Sequence, residues 1–266
     1  MKAVYCGSKK NWNVELSQRV NFPLVVASHE RSGTHFVINS LDGATHYRSR
    51  SMVDLGDRSG IGLVDMYSPS DVRKIFGEQF SQREGHLRSI VKSHHEAKFL
   101  EPAIECGARI VYMYRNPVDV FISFWKFLSR FPEEGGRYSS PLELAKGAPV
   151  GSALRYQVRT HLSYFERWFW HVNDWLALAK SRKNIVCVSY EELNGNFDQC
   201  MQRILAEIDI EGVTDPIRPH RDLYIKGAEI EVAEFERDAL RDYIVRRLEE
   251  LGTQGDRFIG FPSFFD

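Results

Sequence analysis

The chain has 266 residues, with 35 Lys and Arg against 36 Asp and Glu and a formal net charge of −1 at pH 7. This length suits one large domain with a sizeable core, and we expect a single domain over residues 1–266. The balanced charge argues against a protein held to nucleic acid or to a membrane by bulk electrostatics. Any anionic partner must therefore be bound by local cations.

Cysteine spacing and hydropathy argue against metal-binding, disulfide-rich and membrane-spanning proteins. The cysteines are widely separated and suggest neither a zinc site nor a disulfide framework. They are Cys6, Cys106, Cys187 and Cys200. The N-terminal segment, residues 1–20, lacks the apolar core of a signal peptide, and no apolar run approaches the length of a membrane span. We expect a soluble, cytoplasmic protein with reduced thiols, no metal, and neither nucleic acid nor membrane as a partner; a homodimer is left open.

Short apolar runs rich in β-branched residues alternate with longer amphipathic segments. The predicted strands are 23–28, 88–93, 108–115 and 184–190. The predicted helices are 34–41, 71–79, 96–106, 117–130, 155–181, 195–209 and 231–251. Runs without strict alternation suit strands that are buried on both faces, so the pattern predicts an α/β fold, a three-layer sandwich with a central parallel sheet flanked by helices.

Two stretches fit neither pattern. Residues 42–70 and 131–153 are rich in Gly, Ser, Pro and charged residues, which indicates loops or lids over a site. We expect variable segments of about 42–90 and 131–160 to contact the acceptor substrate.

The first predicted strand leads into "SHERSGTHF", which has the spacing of a phosphate-binding loop without its lysine. Ser28 and Gly33 take the positions of the two glycines, Thr34 that of the lysine and His35 that of the magnesium-binding hydroxyl. Gly33 leads into a helix whose free N–H groups favour an anion, and Arg31 supplies a cation inside the loop. The alternative is a plain turn with an N-cap serine or threonine.

A second cation follows the strand at 108–115. Arg115 stands where a magnesium-dependent nucleotide enzyme often has a carboxylate, and a proline then opens the next helix. Ser123 lies two turns into that helix, close enough in sequence to share an anion with Arg115. The alternative for Arg115 is an ion pair with Asp119.

Four motifs in order resemble the sulfotransferases that use 3′-phosphoadenosine 5′-phosphosulfate, PAPS. "RSGTHF" is similar to the loop KSGTTW, or RSGSSF in carbohydrate-type members, and "IVKSHHEAKFL" to the K-T/S-H segment. "YRNPVDVFISFWKFL" is similar to RNPKDVAVSYYHF, and "VCVSYEELNGNF" to F-Y-E-D-L-K-x-D. The set spans residues 24 to about 210 and implies a P-loop NTPase-like fold and metal-independent, in-line sulfuryl transfer from PAPS, with PAP as product.

The resemblance implies a set of residues around PAPS. These are Arg31, Ser32, Gly33, Thr34, His35, Phe36, Arg115, Ser123, Tyr190, Lys226 and Gly227. In this interpretation Arg31 stabilises charge on the leaving phosphate, while Arg115 and Ser123 hold the 3′-phosphate. Phe36 takes the place of an adenine-stacking tryptophan, and Tyr190 reaches the adenine edge.

The same resemblance implies His94 as general base, because a neutral imidazole can remove the proton of an acceptor hydroxyl. His95 stands beside it, but alternation along an extended segment turns the two to opposite sides. The structural alternative is a surface or packing histidine. Lys92 adds either a catalytic cation or merely a solvated strand end, and the catalytic set is His94, Arg31, Lys92 and Ser123.

The C-terminal part departs from the family pattern. The loop RKGxxGDWKNHF is replaced by "HRDLYIKGAEIEVAEFE", in which Lys226-Gly227 is the remnant and Arg218 or Arg221 the second cation. The acceptor, a small molecule with a hydroxyl group or an amine, is not identified by the sequence. The alternatives are a carbohydrate-type sulfotransferase, an atypical P-loop kinase, or a catalytically idle nucleotide-binding protein of the same fold.

Overall fold

The structure, a computed structural model, describes residues 22–55, 69–74, 76–77, 89–131, 133, 136–212, 214–219 and 227–252. The strands in these ranges are β1 (Leu24–Ser28), β2 (Arg48–Leu55), β3 (Ser89–Ser93), β4 (Arg109–Tyr114) and β5 (Ile185–Ser189). The α-helices are α1 (Thr34–Ala44), α2 (Pro69–Lys74), α3 (Ala97–Glu105), α4 (Pro117–Leu128), α5 (Pro141–Lys146), α6 (Tyr164–Ser181), α7 (Tyr190–Gly195), α8 (Phe197–Glu207) and α9 (Glu234–Gly252). A 3₁₀ helix covers Gly151–Tyr156.

The five strands form one parallel sheet in the order β2-β3-β1-β4-β5. β1 lies between β3 and β4, with Ala27 opposite Ser93 and Ser28 opposite Met113. All five residues of β1 are buried, as the apolar run predicts. Because every strand points the same way, the segments that follow β1, β3, β4 and β5 all begin at one edge of the sheet, where open α/β sheets bind ligands.

The two faces of the sheet support separate cores. On one face Val25, Ala27 and Tyr112 pack with apolar residues of α3, α4, α6 and α9. On the other, Val26 and Met113 pack with residues of α1 and α8. The predicted three-layer α/β sandwich is therefore confirmed.

The structure corrects three predicted boundaries. The predicted loop 42–70 contains the end of α1, all of β2 and the start of α2. β2, "RSRSMVDL", lacks a long apolar run, and it is the outer strand of the sheet, where burial on both faces is not required. The predicted loop 131–153 contains α5, which Ser140 caps by accepting a hydrogen bond from Glu143 N.

The helix predicted over 155–181 begins at residue 164 instead. Ser163 Oγ accepts a hydrogen bond from Glu166 N at 3.0 Å, and the Glu166 carboxylate accepts from Leu162 N at 2.6 Å. This capping fixes the start of α6. Residues 155 and 156 belong to the preceding 3₁₀ helix, which places them beside the end of β3.

The helix after β4 opens as predicted. Pro117 takes its first position, and Asn116 Oδ1 accepts a hydrogen bond from Val118 N at 2.9 Å. Asn116 N donates to Glu191 Oε1 at 3.0 Å and so ties this turn to α7. The turn therefore fixes where Arg115 leaves the sheet.

Candidate active site

A cleft of about 320 Å³ lies at the carboxyl edge of the sheet, among the segments that follow β1, β3, β4 and β5. It is lined by Glu30, Arg31, Gly33, Thr34, His35, Phe36, Lys92, His94, Arg115, Ser123, Phe124, Phe127, Leu128, Arg155, Tyr156 and Tyr190. Of the predicted site residues, Arg31, Gly33, Thr34, His35, Phe36, Lys92, His94, Arg115, Ser123 and Tyr190 belong to this lining. Residues from four separate motifs thus meet in one place.

The loop from Ser28 to Gly33 has a backbone that few residues other than glycine adopt. Gly33 has φ 98°, and a Cβ built on it would lie 2.6 Å from Tyr190 Cδ2 and 2.9 Å from Met113 Sδ. Arg31 has φ 65°, which is uncommon for a residue with a side chain. No side chain caps the N-terminus of α1 at Gly33, so the first N–H groups of that helix face the loop.

Arg31 extends from this loop toward α4. Its Nε donates a hydrogen bond to Ser123 Oγ at 3.1 Å, and its guanidinium lies 4.9 Å from the centre of the Phe127 ring. Burial, together with the positive charges of Arg115 and Arg130, lowers the pKa of Arg31 to about 10. An anion bound beside Arg31 would offset the unfavourable effect of these two positive charges on it.

A buried ion pair supports the loop from below. Arg167 of α6 is 0% exposed, and its Nη1 and Nη2 each donate to a different oxygen of Glu30 at 2.9 Å. Burial raises the pKa of Glu30, but Arg167 and the nearby imidazoles outweigh that effect, so the pKa lies below the usual range. Glu30 is thus an ionised carboxylate whose charge is matched before any ligand enters.

Two histidines complete this support. His29 donates from Nδ1 to Glu30 O at 3.0 Å and accepts from Arg167 Nη1 at 2.9 Å, and burial lowers its pKa to about 3. His171 donates from Nε2 to His94 O at 3.2 Å and accepts from the Tyr112 hydroxyl at 2.9 Å. Burial also holds the pKa of His171 well below its ordinary value. Both imidazoles are therefore neutral structural groups.

His94 is held in one orientation. Its Nδ1 lies 2.9 Å from Ser28 O, and because a carbonyl can only accept, Nδ1 carries the proton. Neutral His94 therefore presents Nε2 as its basic nitrogen. His95 turns the other way, as the alternation predicts: it stacks on Phe99 at 3.9 Å, bonds Ser93 Oγ, and burial lowers its pKa to about 3.

Arg115 and Tyr190 form the opposite end of the cleft. The Arg115 guanidinium lies 4.4 Å from the centre of the Tyr190 ring, and its Nη2 is 3.5 Å from Asp119 Oδ2. The ion pair considered from the sequence is therefore present. Asp119 also accepts a hydrogen bond from Arg237 Nη1 at 3.0 Å, so it is shared between two arginines.

The remaining predicted residues have different surroundings. Ser32 is fully buried behind the loop, with no hydrogen-bond partner for Oγ among the described residues. Phe36 lines the cleft but is only 5% exposed, because it stacks on Phe197. Gly227 packs against the end of α4, where Ala228 N donates to Lys126 O at 2.7 Å, and it does not line the cleft. Lys226 lies outside the described residues.

Sequence reasoning did not find six of the lining residues. They are Glu30, Phe124, Phe127, Leu128, Arg155 and Tyr156. Phe124 and Phe127 follow Ser123 at helical spacing, so the pattern of α4 could have indicated them. Arg155 and Tyr156 lie in the segment 131–160 that we expect to contact the acceptor, but no local pattern singled them out, because the helix was predicted to begin at residue 155 instead of 164.

Neither a metal centre nor a membrane span is found among the residues that the structure describes. Within them, no group of three or more His, Cys, Asp or Glu side chains is placed to hold a metal ion. None of the helices in those ranges has both the length and the apolar character needed to cross a membrane.

Comparison with known proteins gives one family. Residues 23–223 match the model of the sulfotransferase domain. Human sulfotransferase 2B1 is 26% identical over 150 residues, which are 56% of this chain and 38% of the human protein. The 3-beta-hydroxysteroid sulfotransferase of Cavia porcellus is 30% identical over 87 residues, 32% of this chain and 26% of that protein. The matches thus span well under two thirds of either relative.

Solved structures agree on the fold. The structure of retinol dehydratase in a complex with retinol and PAP superposes with a TM-score of 0.53 at 17% identity, over 94% of this chain and 88% of that chain. At this identity the likeness concerns the fold alone.

Proposed function

The chain belongs to the sulfotransferase domain family, and we propose that it is an enzyme that transfers the sulfuryl group of PAPS to a hydroxyl group, or an amine, of a small molecule. The observation that carries the proposal is the pairing of an anion-binding loop with cations from two strand ends, Arg31 after β1 and Arg115 after β4. This arrangement fits a donor with phosphate groups at both ends of a ribose.

The residues present fit such a donor. Gly33 has a positive φ, and a Cβ on it would collide with Tyr190 and Met113, so only glycine lets the loop pack against these side chains at the start of α1. Ser32 Oγ and Arg115 Nε are buried polar atoms without a hydrogen-bond partner among the described residues. Buried polar groups of this kind are rare unless a ligand or water completes them.

We assign the roles as follows. Backbone N–H groups at the start of α1, with Thr34, bind the 5′-phosphate, and Arg115 binds the 3′-phosphate. Arg31 and Lys92 stabilise the negative charge that grows on the departing phosphate oxygen. Ser123 positions Arg31 by accepting its 3.1 Å hydrogen bond, in addition to the role at the 3′-phosphate, with Arg115, that the resemblance implies. PAPS, when bound, supplies the sulfuryl group and the leaving phosphate.

His94 acts as the general base. Its Nδ1–H is already engaged with Ser28 O, so Nε2 accepts the proton of the acceptor as the new bond to sulfur forms. The electron pair of the broken S–O bond remains on the phosphate of PAP. In this mechanism Arg31 stabilises the leaving phosphate, and His94 deprotonates the acceptor.

The names of the relatives support only a broad class of acceptor. One is named for hydroxysteroids and one structure contains retinol, both of which are small hydroxyl compounds. We propose a small-molecule acceptor bound near Tyr156 and Phe127, and a cytosolic site of action in which the unpaired Cys106, Cys187 and Cys200 stay reduced. Fractionation of the source cells would test the location.

Calorimetry with PAP and with ADP tests the donor. PAP should bind at least ten-fold more tightly, because only PAP has the 3′-phosphate that Arg115 would engage with a charge-assisted bond. Equal binding, or none, would overturn the PAPS assignment. Both titrations are run with a chelator present, since the proposal requires no metal.

Turnover is tested with labelled PAPS and a panel of phenols, sugars, alcohols and amines. His94→Gln should lower the rate by about 10²–10⁴-fold, while PAP affinity stays within about three-fold, because His94 is assigned to the acceptor. His95→Gln is the matched control, since that ring faces the core. Full activity in His94→Gln would remove the general base from the mechanism.

A further inference from the structure

Two arginines that precede α6 have different surroundings. Arg159 Nη2 is 2.5 Å from Asp174 Oδ2, and its Nε is 3.8 Å from Glu96 Oε2. Arg155 lies one turn earlier and lines the cleft, with its guanidinium 4.8 Å from the centre of the Tyr156 ring. Among the residues that the structure describes, Arg155 makes no hydrogen bond or ion pair. One arginine thus has its counter-charge within the fold and the other does not.

The backbone around Arg155 is firmly attached to the end of β3. Glu96 N donates to Tyr156 O at 3.2 Å, and the buried Glu96 carboxylate accepts a 2.6 Å hydrogen bond from His161 Nε2. Tyr156 is 5% exposed and packs edge-on against His94 at 5.4 Å and against His95 at 5.3 Å. Arg155 is therefore held beside the proposed base.

Among the described lining residues at this end of the cleft, positive charges outnumber carboxylates. Glu30 is the one carboxylate among the described lining residues, and it is already paired with Arg167. Lys92 and Arg155 both add positive charge near His94. Arg155 makes the smallest of the contributions that lower the pKa of His95, after burial, His94 and Arg167. The nucleotide-binding cations Arg31 and Arg115 stand on the loop and the β4 end instead.

We propose that the acceptor carries an acidic group, a carboxylate or a sulfate or phosphate ester, and that Arg155 binds it so that the nucleophile faces His94. This inference rests on the proposed sulfotransferase function and narrows its substrate class. The Arg155 guanidinium lies 4.8 Å from the centre of the Tyr156 ring and makes no hydrogen bond to a described residue. A guanidinium can donate two parallel hydrogen bonds to an oxyanion. Arg155 is then a residue that selects the acceptor.

The test uses acceptor pairs that differ only in one charge. One pair is 3-(4-hydroxyphenyl)propionate and its amide, and another is methyl β-glucuronide and its C6 amide. A third is 3-(4-hydroxyphenyl)propyl sulfate and the corresponding methyl ether. In the wild type, kcat/KM with labelled PAPS should be at least ten-fold higher for the acidic member of an accepted pair. In Arg155→Gln that ratio should fall toward one, mainly through KM, and Arg155→Glu should reverse it.

Arg182→Gln is the matched control, because Arg182 is exposed at the end of α6 and its loss changes the net charge equally. It should keep the wild-type ratio, which separates a local contact from long-range attraction. The carboxylate and sulfate pairs show which oxyanion is preferred.

The outcomes separate this inference from the proposed function. If PAP binds more tightly than ADP and acceptors turn over, but the ratio is near one or survives Arg155→Gln, the acidic acceptor is excluded and the function stands. If no acceptor pair turns over, the same pairs are titrated into the PAP-loaded protein, and equal or absent binding of both members also excludes it. Failure of PAP itself to bind preferentially would overturn the proposed function instead.

Discussion

Two arginines line the cleft, and the segments that carry them are held in the fold by very different contacts. Arg31 projects from a loop whose neighbour Glu30 forms a buried, doubly hydrogen-bonded pair with Arg167. Arg155 is an exposed residue of a 3₁₀ helix that is attached to the fold through Tyr156 and Glu96. The comparison suggests that the position of the donor-side cation depends on the core, whereas the acceptor-side cation can be exchanged at little cost to the fold.

The largest expected effect that tests this contrast is on stability. Glu30→Gln should lower the free energy of unfolding by about 3–5 kcal/mol, because it leaves the charge of the buried Arg167 without its partner. Glu96→Gln, the matched change on the acceptor side, should cost only about 1–3 kcal/mol, because it weakens a hydrogen bond to His161. Urea unfolding of both variants measures the difference. Equal losses would break the distinction between the two supports.

The next effect is on catalysis. Arg31→Gln should lower kcat by about 10²–10³-fold with every acceptor, acidic or neutral, because it removes a donor to the developing charge. Arg155→Gln should instead change the order of preference among acceptors. Initial rates across the matched pairs decide between these patterns. A loss in Arg31→Gln that depended on acceptor charge would mean that the two arginines share one task.

The sequence predicted the residues proposed to bind PAPS, such as Arg31 and Arg115, better than those proposed to bind the acceptor, such as Arg155. The reason is physical. The strands β1, β3 and β4 are apolar runs that can be recognised in the sequence. Arg31, His94 and Arg115 follow shortly after these strands, so a parallel sheet brings all three to one edge. The partner of Glu30 lies 137 residues away and has no periodic signal of its own.

Position 155 illustrates what local patterns omit. The direction of Arg155 depends on where α6 starts and on contacts between Glu96 and the segment before α6. β2 was missed for a related reason, since an outer strand does not need the apolar run by which buried strands are recognised. Tertiary contacts decide both features.

Acid should destabilise the donor-side support through its histidines. Burial lowers the pKa of His29 to about 3 and holds the pKa of His171 well below its ordinary value. Below pH 6.5 these two histidines are protonated in the unfolded chain but stay neutral in the native state. Stability that is present above pH 6.5 is therefore lost as the pH falls. Each histidine should account for about 2 kcal/mol between pH 7 and pH 5.

Urea unfolding at pH 7, 6 and 5 measures this loss, and the slope gives the number of protons taken up. His29→Gln should reduce the slope by about one proton. Stability that stayed constant down to pH 5 would contradict the neutral, buried state of these rings.

The smallest expected effect concerns the loop glycine. Gly33→Ala should cost about 1–2 kcal/mol from its φ of 98°, together with weaker PAP binding as Tyr190 is displaced. Gly43→Ala, in the same helix with open space around it, should stabilise by up to about 1 kcal/mol. Unfolding and PAP titration of the two variants give both quantities, and equal behaviour would mean that the loop tolerates a side chain.

The pair of Glu30 and Arg167 also bears on the order in which the protein assembles. Its members are 137 residues apart, so a growing chain completes β1 and the loop long before α6 exists. Until α6 docks, Glu30 remains an unmatched negative charge beside the place meant for an anion, and it repels what the loop is built to bind. Long-range contacts of this kind form late in folding. We therefore expect the loop to become competent to bind an anion only once α6 has docked.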